Sequence, residues 1–136
     1  RGPHVSEIVL TMIAVIFEAE PADREAYFQI AGELRPLLDE IDGFISIERF
    51  QSVSDPERVL SLSFWRDEVA VAAWRNVEAH RDAQNAGRGG MFRGYRLRVA
   101  QVVRDYGLRE RDEAPEDSNA VILGLGEAKS PGSRGS

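Results

Sequence analysis

The chain has 136 residues, 43 % of them hydrophobic, with no cysteine and a net charge of −6. That is the size of one domain able to bury its own core, and the missing cysteines exclude disulfides, thiolate nucleophiles and iron–sulfur ligation while fitting a reducing cytoplasm. No run of Lys or Arg stands out, so nucleic acid is not an expected partner; half of the net charge falls between Glu110 and Ser136, where six acidic residues meet three basic ones.

Ile8 to Phe17 reads as a strand, β-branched and apolar on both parities, and too short to span a membrane. Nothing before it has the pattern of a signal peptide. Pro21 suits a helix start, with Asp23 and Glu25 in the first turn. Tyr27, Phe28, Ile30, Ala31, Leu34, Leu37 and Leu38 then form a helical stripe, which Pro36 should kink or shorten and Asp42-Gly43 should close. Phe44 to Gln51 is a second strand and Arg58 to Arg66 a third, joined through the turn Ser54-Asp55-Pro56-Glu57. In the third strand Leu60, Leu62 and Phe64 point one way and Ser61, Ser63 and Trp65 the other. Asp67 is an N-cap for a helix to about Asn85, with Val69, Ala72, Ala73, Val77 and His80 near one face and Trp74 beside them. A glycine-rich loop, Ala86 to Gly90, leads to a last strand from Tyr95 to Tyr106.

The order β-α-β-β-α-β predicts a ferredoxin-like α+β domain over residues 8–108, with an antiparallel sheet and helices on one face. Both parities of the first strand are apolar: Met12, Ala14 and Ile16 on one, Ile13, Val15 and Phe17 on the other. One helical layer covers only one of them. An exposed apolar sheet face of that extent marks an interface, and a two-fold homodimer packed sheet to sheet is the economical partner. Arg109 to Asn119 reads as a polar linker, followed by the short apolar run Ala120–Gly126 and a Gly/Ser/Pro-rich end, so residues 109–136 form an acidic tail.

Three blocks resemble a known family. Asp42-Gly43-Phe44 through Glu48, then Phe64-Trp65-Arg66-Asp67-Glu68 with Ala73-Trp74 and His80, and finally Gly94 to Val99 are similar, in that order, to antibiotic-biosynthesis monooxygenase domains. The resemblance spans roughly residues 10–108. It implies a dimeric α+β barrel with a pocket between helices and sheet in each subunit. It also implies an activity among those of the family: oxidation of phenols, anthrones or quinols by molecular oxygen without metal or flavin, or the binding and degradation of heme. The heme-degrading members carry a tryptophan and a histidine on the helix, matched here by Trp74 and His80. They also carry an asparagine on the first strand, where this chain has Ile13-Ala14-Val15-Ile16-Phe17. The expected cofactor is therefore none, with heme as the alternative.

The candidate site residues follow from side-chain chemistry within that frame. His80 is the only histidine beyond the N-terminus; it suits a general base or a single axial heme ligand, and equally a hydrogen-bonded helix flank. Trp65 and Trp74 could stack a flat aromatic substrate or fill core. Arg88 could hold an oxyanion or remain a solvated loop cation. Tyr95 and Asn76 complete the expected substrate-binding set, each also readable as structural or exposed. Gly87, Gly89 and Gly90 lack the lysine and spacing of a phosphate loop. Three functions are compatible with these residues: a cofactor-free oxygenase of a small aromatic molecule, a dimer that binds a small ligand without chemistry, and a heme protein.

Overall fold

The structure is a computed structural model describing residues 12–84 and 90–119. Four strands and two helices alternate as β1 (Ile13–Pro21), α1 (Arg24–Asp39), β2 (Phe44–Gln51), β3 (Val59–Trp65), α2 (Glu68–Gln84) and β4 (Phe92–Gln101). The strands make one antiparallel sheet in the order β2-β3-β1-β4, the ferredoxin-like arrangement. Val15 pairs with Ser63 on one side and Val99 on the other, which puts β1 at the centre.

Alternation along the strands sorts the sheet into two faces. Ile13, Val15 and Phe17 share a face with Ser61, Ser63 and Trp65. Both helices lie on that side: Leu38 of α1 and Val71 of α2 join Ile13 and Trp65 in one core cluster, with Leu38 and Trp65 each 2 % exposed. Ala14 and Ile16 share the opposite face with Leu62 and Phe64, and the three larger of these are only half-buried. In β3 it is therefore the serines that face the helices and the leucines that face away.

Several predicted boundaries move, each for a local reason. Of the expected first strand, residues 8–11 lie outside the described residues, and the strand runs on past Phe17 to Pro21. Pro21 closes β1 rather than opening a helix: it sits opposite Phe92 where the β1–β4 register slips, a place that asks no ladder N–H of it. The helix starts instead at Asp23, whose carboxylate accepts the Ala26 N–H at 3.1 Å. Pro36 does not end α1. It lies on the exposed side, as does Gly32 one turn earlier, so the carbonyl it leaves without a partner can turn to water. β4 stops at Gln101 rather than Tyr106 because its partner runs out: Val102 N–H donates to Met12 O at 2.9 Å, level with the start of β1. In α2 the apolar face read from the sequence is not the one that packs on the sheet. Ala70 and Val71 are buried with Trp74 packed beside them, whereas Val69 is 74 % exposed. An alanine-rich helix offers two apolar stripes of similar strength, and the one that buries Val71 and Trp74 removes more apolar area from water.

From Val103 the chain forms a second compact unit. The stretch read as a polar linker is organised around Arg111, whose guanidinium donates to Gly107 O, Ser118 Oγ and Asn119 Oδ1 and lies 5.0 Å from the Tyr106 ring centre. Asp105 N–H donates to Glu113 Oε1 at 2.8 Å. The apolar run Ala120–Gly126 is outside the described residues. Among those described, no helix is long and apolar enough to cross a membrane.

Asp67 caps α2 as its sequence position implies, accepting the Ala70 N–H at 3.0 Å and pairing with Arg66 at 3.2 Å. The Ala70 hydrogen bond, and then Arg66, hold its carboxyl below the usual carboxylate range. A depressed folded-state pKa contributes stability above the unfolded value and loses it as pH falls through the folded one. Asn at this position still caps a helix but does not titrate. The stability advantage of wild type over Asp67→Asn should therefore be present at neutral pH and disappear in acid, below the usual carboxylate range. Urea unfolding of both proteins at several pH values checks this; a pH-independent difference would refute it.

Candidate active site

A cavity of about 750 Å³ lies between the helices and the inner face of the sheet. Its existence follows from β3, one of the two inner strands. Where the outward parity of β3 carries Leu60, Leu62 and Phe64, the inward parity carries Ser61 and Ser63, and these small side chains leave the middle of the layer unfilled. Both serines are buried, and Ser63 Oγ accepts the Trp65 indole N–H at 2.9 Å, satisfying a donor in the core.

Two groups of aromatic rings bound the space. At one end Phe17, Phe92 and Tyr95 are in mutual contact and Tyr27 meets Phe92, with ring centres 5.4 Å apart for Phe17–Phe92 and Phe17–Tyr95, 5.8 Å for Phe92–Tyr95 and 5.7 Å for Tyr27–Phe92. At the other end stand Trp65 and Trp74. Helix α1 contributes Ala31, Leu34 and Leu38 to the wall, and α2 contributes Val71 with Trp74. The β4 side is the open one: Tyr95 is 65 % exposed, and Leu97 and Val99 are exposed too, although all three line the cavity. A space of this volume with largely apolar walls suits a small molecule.

The polar part of the lining is mostly cationic. Among the described residues, Arg49, Arg75, Arg81 and Arg93 border the cavity with a single carboxylate, Glu78. Arg93 pairs with Glu57, which is not in the lining. Arg49 is half-buried on β2; its Nε donates to the Tyr27 hydroxyl at 3.4 Å, and its guanidinium carbon lies 6.0 Å from the centre of that ring. Among the described residues no group of three or more His, Cys, Asp and Glu could hold a metal ion.

Of the six residues expected at the site, the cavity brings together Trp65, Trp74 and Tyr95. His80 and Asn76 are exposed and are not in the lining. The helical repeat explains their position. Val71, Trp74, Glu78 and Arg81 recur at the spacing of one helix face, whereas His80 follows Val71 by nine residues, about two and a half turns, and so points the opposite way. Arg88 lies outside the described residues. The sequence reading missed Tyr27, Arg49, Ser61 and Ser63. The signal was available for three of them: Arg49 shares the parity of Ile47, and small serines alternate with large apolar residues along β3.

The family described as "Antibiotic biosynthesis monooxygenase" matches residues 10–86. A curated protein of Pyricularia oryzae named "Jasmonate monooxygenase ABM" is 50 % identical over 93 residues, which cover 67 % of this chain and 43 % of that protein. The chain thus spans less than half the length of this relative. Among solved structures, a conserved protein from Methanosarcina mazei superposes with a TM-score of 0.60 at 12 % identity, covering 71 % of this chain and 98 % of that one. Rv0793 from Mycobacterium tuberculosis superposes with a TM-score of 0.60 at 18 % identity, covering 71 % and 100 %. At those identities the structural likeness shows the fold.

Proposed function

Because this chain belongs to the antibiotic biosynthesis monooxygenase family, we propose that it is a monooxygenase that uses molecular oxygen, without metal or flavin, on a small and largely apolar molecule held in the cavity. The observation that carries this is the cavity itself: about 750 Å³, walled by two aromatic groups, with four arginines and one glutamate among the described residues of its lining. The chemistry needs a substrate with an activated C–H, next to a carbonyl or on an electron-rich ring. Loss of its proton leaves a carbanion or phenolate able to reduce dioxygen. For a methylene the balance is R₂CH₂ + O₂ → R₂C=O + H₂O: both electron pairs come from the substrate, one oxygen atom enters the product and the other leaves as water. The protein supplies largely apolar walls and cationic side chains that favour the anion. Trp65, Trp74 and Tyr95 are the proposed substrate walls. His80 and Asn76, on the far side of α2, are assigned no contact with substrate.

Two substrate classes meet these requirements: the quinols, anthrones and related phenols that the family resemblance implies, and jasmonate, a cyclopentanone bearing a carboxylate, for which the 50 % identical relative is named. The outer sheet face, apolar at Ile16, Leu62 and Phe64, is the proposed seam of a two-fold homodimer. A cytoplasmic location fits a chain without cysteine.

Oxygen uptake in chelator-treated buffer, with a panel of quinols, anthrones and jasmonate, tests the proposal. One substrate should consume oxygen one for one, and Trp74→Ala should lower kcat/KM by roughly tenfold through lost stacking. Uptake that needs an added metal or flavin overturns the cofactor-free reading. No uptake with any substrate, but a rise in Tm with one of them, makes the protein a binding module.

A further inference from the structure

The chain is acidic overall, at −6, yet among the described residues its cavity lining carries four arginines against one glutamate. A cation held partly buried against apolar walls is costly unless something answers it. Arg49 is the informative member. Arg93 already has Glu57, Arg75 is exposed on α2, and Arg81 has an interaction of its own. Arg49 is half-buried on the inner face of the sheet, opposite Ser61 in the β2–β3 register. Among the described residues it meets no carboxylate; its one hydrogen bond takes Nε to the Tyr27 hydroxyl. Both Nη groups are therefore left for another acceptor. An arginine held by Nε, with its planar fork open, is the arrangement that binds a carboxylate through two parallel hydrogen bonds.

We propose that Arg49 anchors the carboxylate of the substrate, so that the cavity takes an apolar monocarboxylic acid whose hydrocarbon body lies along the aromatic walls. This rests on reading the cavity as the substrate site and narrows its substrate class. The Tyr27 hydroxyl steadies the guanidinium and fixes which edge of it the ligand meets. Arg49 sits on β2 and Trp74 on α2, so the acid end of the ligand is held on the sheet side of the cavity.

The chain carries its own reporter, because its only two tryptophans, Trp65 and Trp74, both line the cavity. Tryptophan fluorescence is titrated at neutral pH with octanoate and with octanamide, which share length and shape and differ in charge. Wild type should bind octanoate about tenfold or more tighter than octanamide, the scale of a charge-assisted bidentate contact. In Arg49→Gln that preference should vanish while octanamide affinity stays within about twofold, which also shows that the cavity has kept its shape. Arg49→Lys should restore part of the preference, since lysine keeps the charge but loses the fork. Equal affinities in wild type, a preference that survives in Arg49→Gln, or no response to either ligand overturns the anchor. None of these results touches oxygen uptake, which is measured separately. Conversely, a protein with no uptake but an intact acid preference keeps the anchor and loses the oxygenase reading.

Discussion

Gly43→Ala should lower the free energy of unfolding by roughly 2–5 kcal/mol, the sum of a strained backbone and an overpacked contact. Gly43 sits between α1 and β2 with φ +96°, a region that side chains rarely adopt. An added Cβ would also come within 2.8 Å of Ala70 Cβ in the first turns of α2. Neither side has much freedom to yield. Gly43 O accepts the Arg66 N–H at 2.7 Å, and Asp42 holds the Arg66 guanidinium through both oxygens, at 3.2 and 3.1 Å. Ala70 is itself buried. Urea denaturation measures the loss, and a double variant separates its parts: Ala70→Gly in the Gly43→Ala background removes the steric contact but not the strain. Rescue should therefore be partial, after allowing for the cost of glycine in a helix, about 1 kcal/mol. A Gly43→Ala protein as stable as wild type would mean that the loop relaxes to negative φ, and would refute the argument.

This loop also shows what the sequence made legible. Asp42-Gly43-Phe44, the turn after it and the cap at Asp67 are local signals, each fixed by a residue with one backbone preference, and β2 is bounded by Phe44 and Gln51 as predicted. The elements that moved are those decided by distant partners. The end of β4 depends on where β1 begins. The inward face of α2 depends on which of two weak apolar stripes meets Trp65 and Leu38. The order of units along Val103–Asn119 depends on Arg111 finding Tyr106, Gly107, Ser118 and Asn119, contacts that no local pattern announces. The site divides in the same way. Trp65, Trp74 and Tyr95 could be singled out by residue type. His80 attracted attention as the only histidine past the N-terminus, but its side of the helix is set by the rotation that buries Val71 and Trp74. Ser61, Ser63 and Arg49 carry a strand-parity signal, but only the sheet shows which parity the helices cover.

The same inversion in β3 that opens the cavity leaves Leu60, Leu62 and Phe64 on the outer face, and the proposed dimer depends on it. Leu62 stands opposite Ile16 of β1 and Glu48 of β2, near the middle of the sheet. Glu18 lies further along the same face, paired with Arg58 at 3.6 Å and Arg98 at 3.3 Å, so an apolar patch gives way to a charged margin. In a two-fold interface a substitution enters twice. Leu62→Glu places a carboxylate beside Glu48 and sets both against the partner's copies. Like charges so placed cost several kcal/mol, a factor of roughly 100 or more in the dimer dissociation constant. Sedimentation equilibrium should give a dimer for wild type and a monomer for Leu62→Glu at the same micromolar concentration. Val69→Glu, on the exposed side of α2, should leave the dimer intact. The cavity is lined by the opposite parity of β1 and β3, so the Leu62→Glu monomer should still bind ligand at the two tryptophans, provided that it stays folded. A wild-type monomer, or a Leu62→Glu dimer of unchanged affinity, would overturn the sheet-to-sheet arrangement and leave the outer face to some other partner.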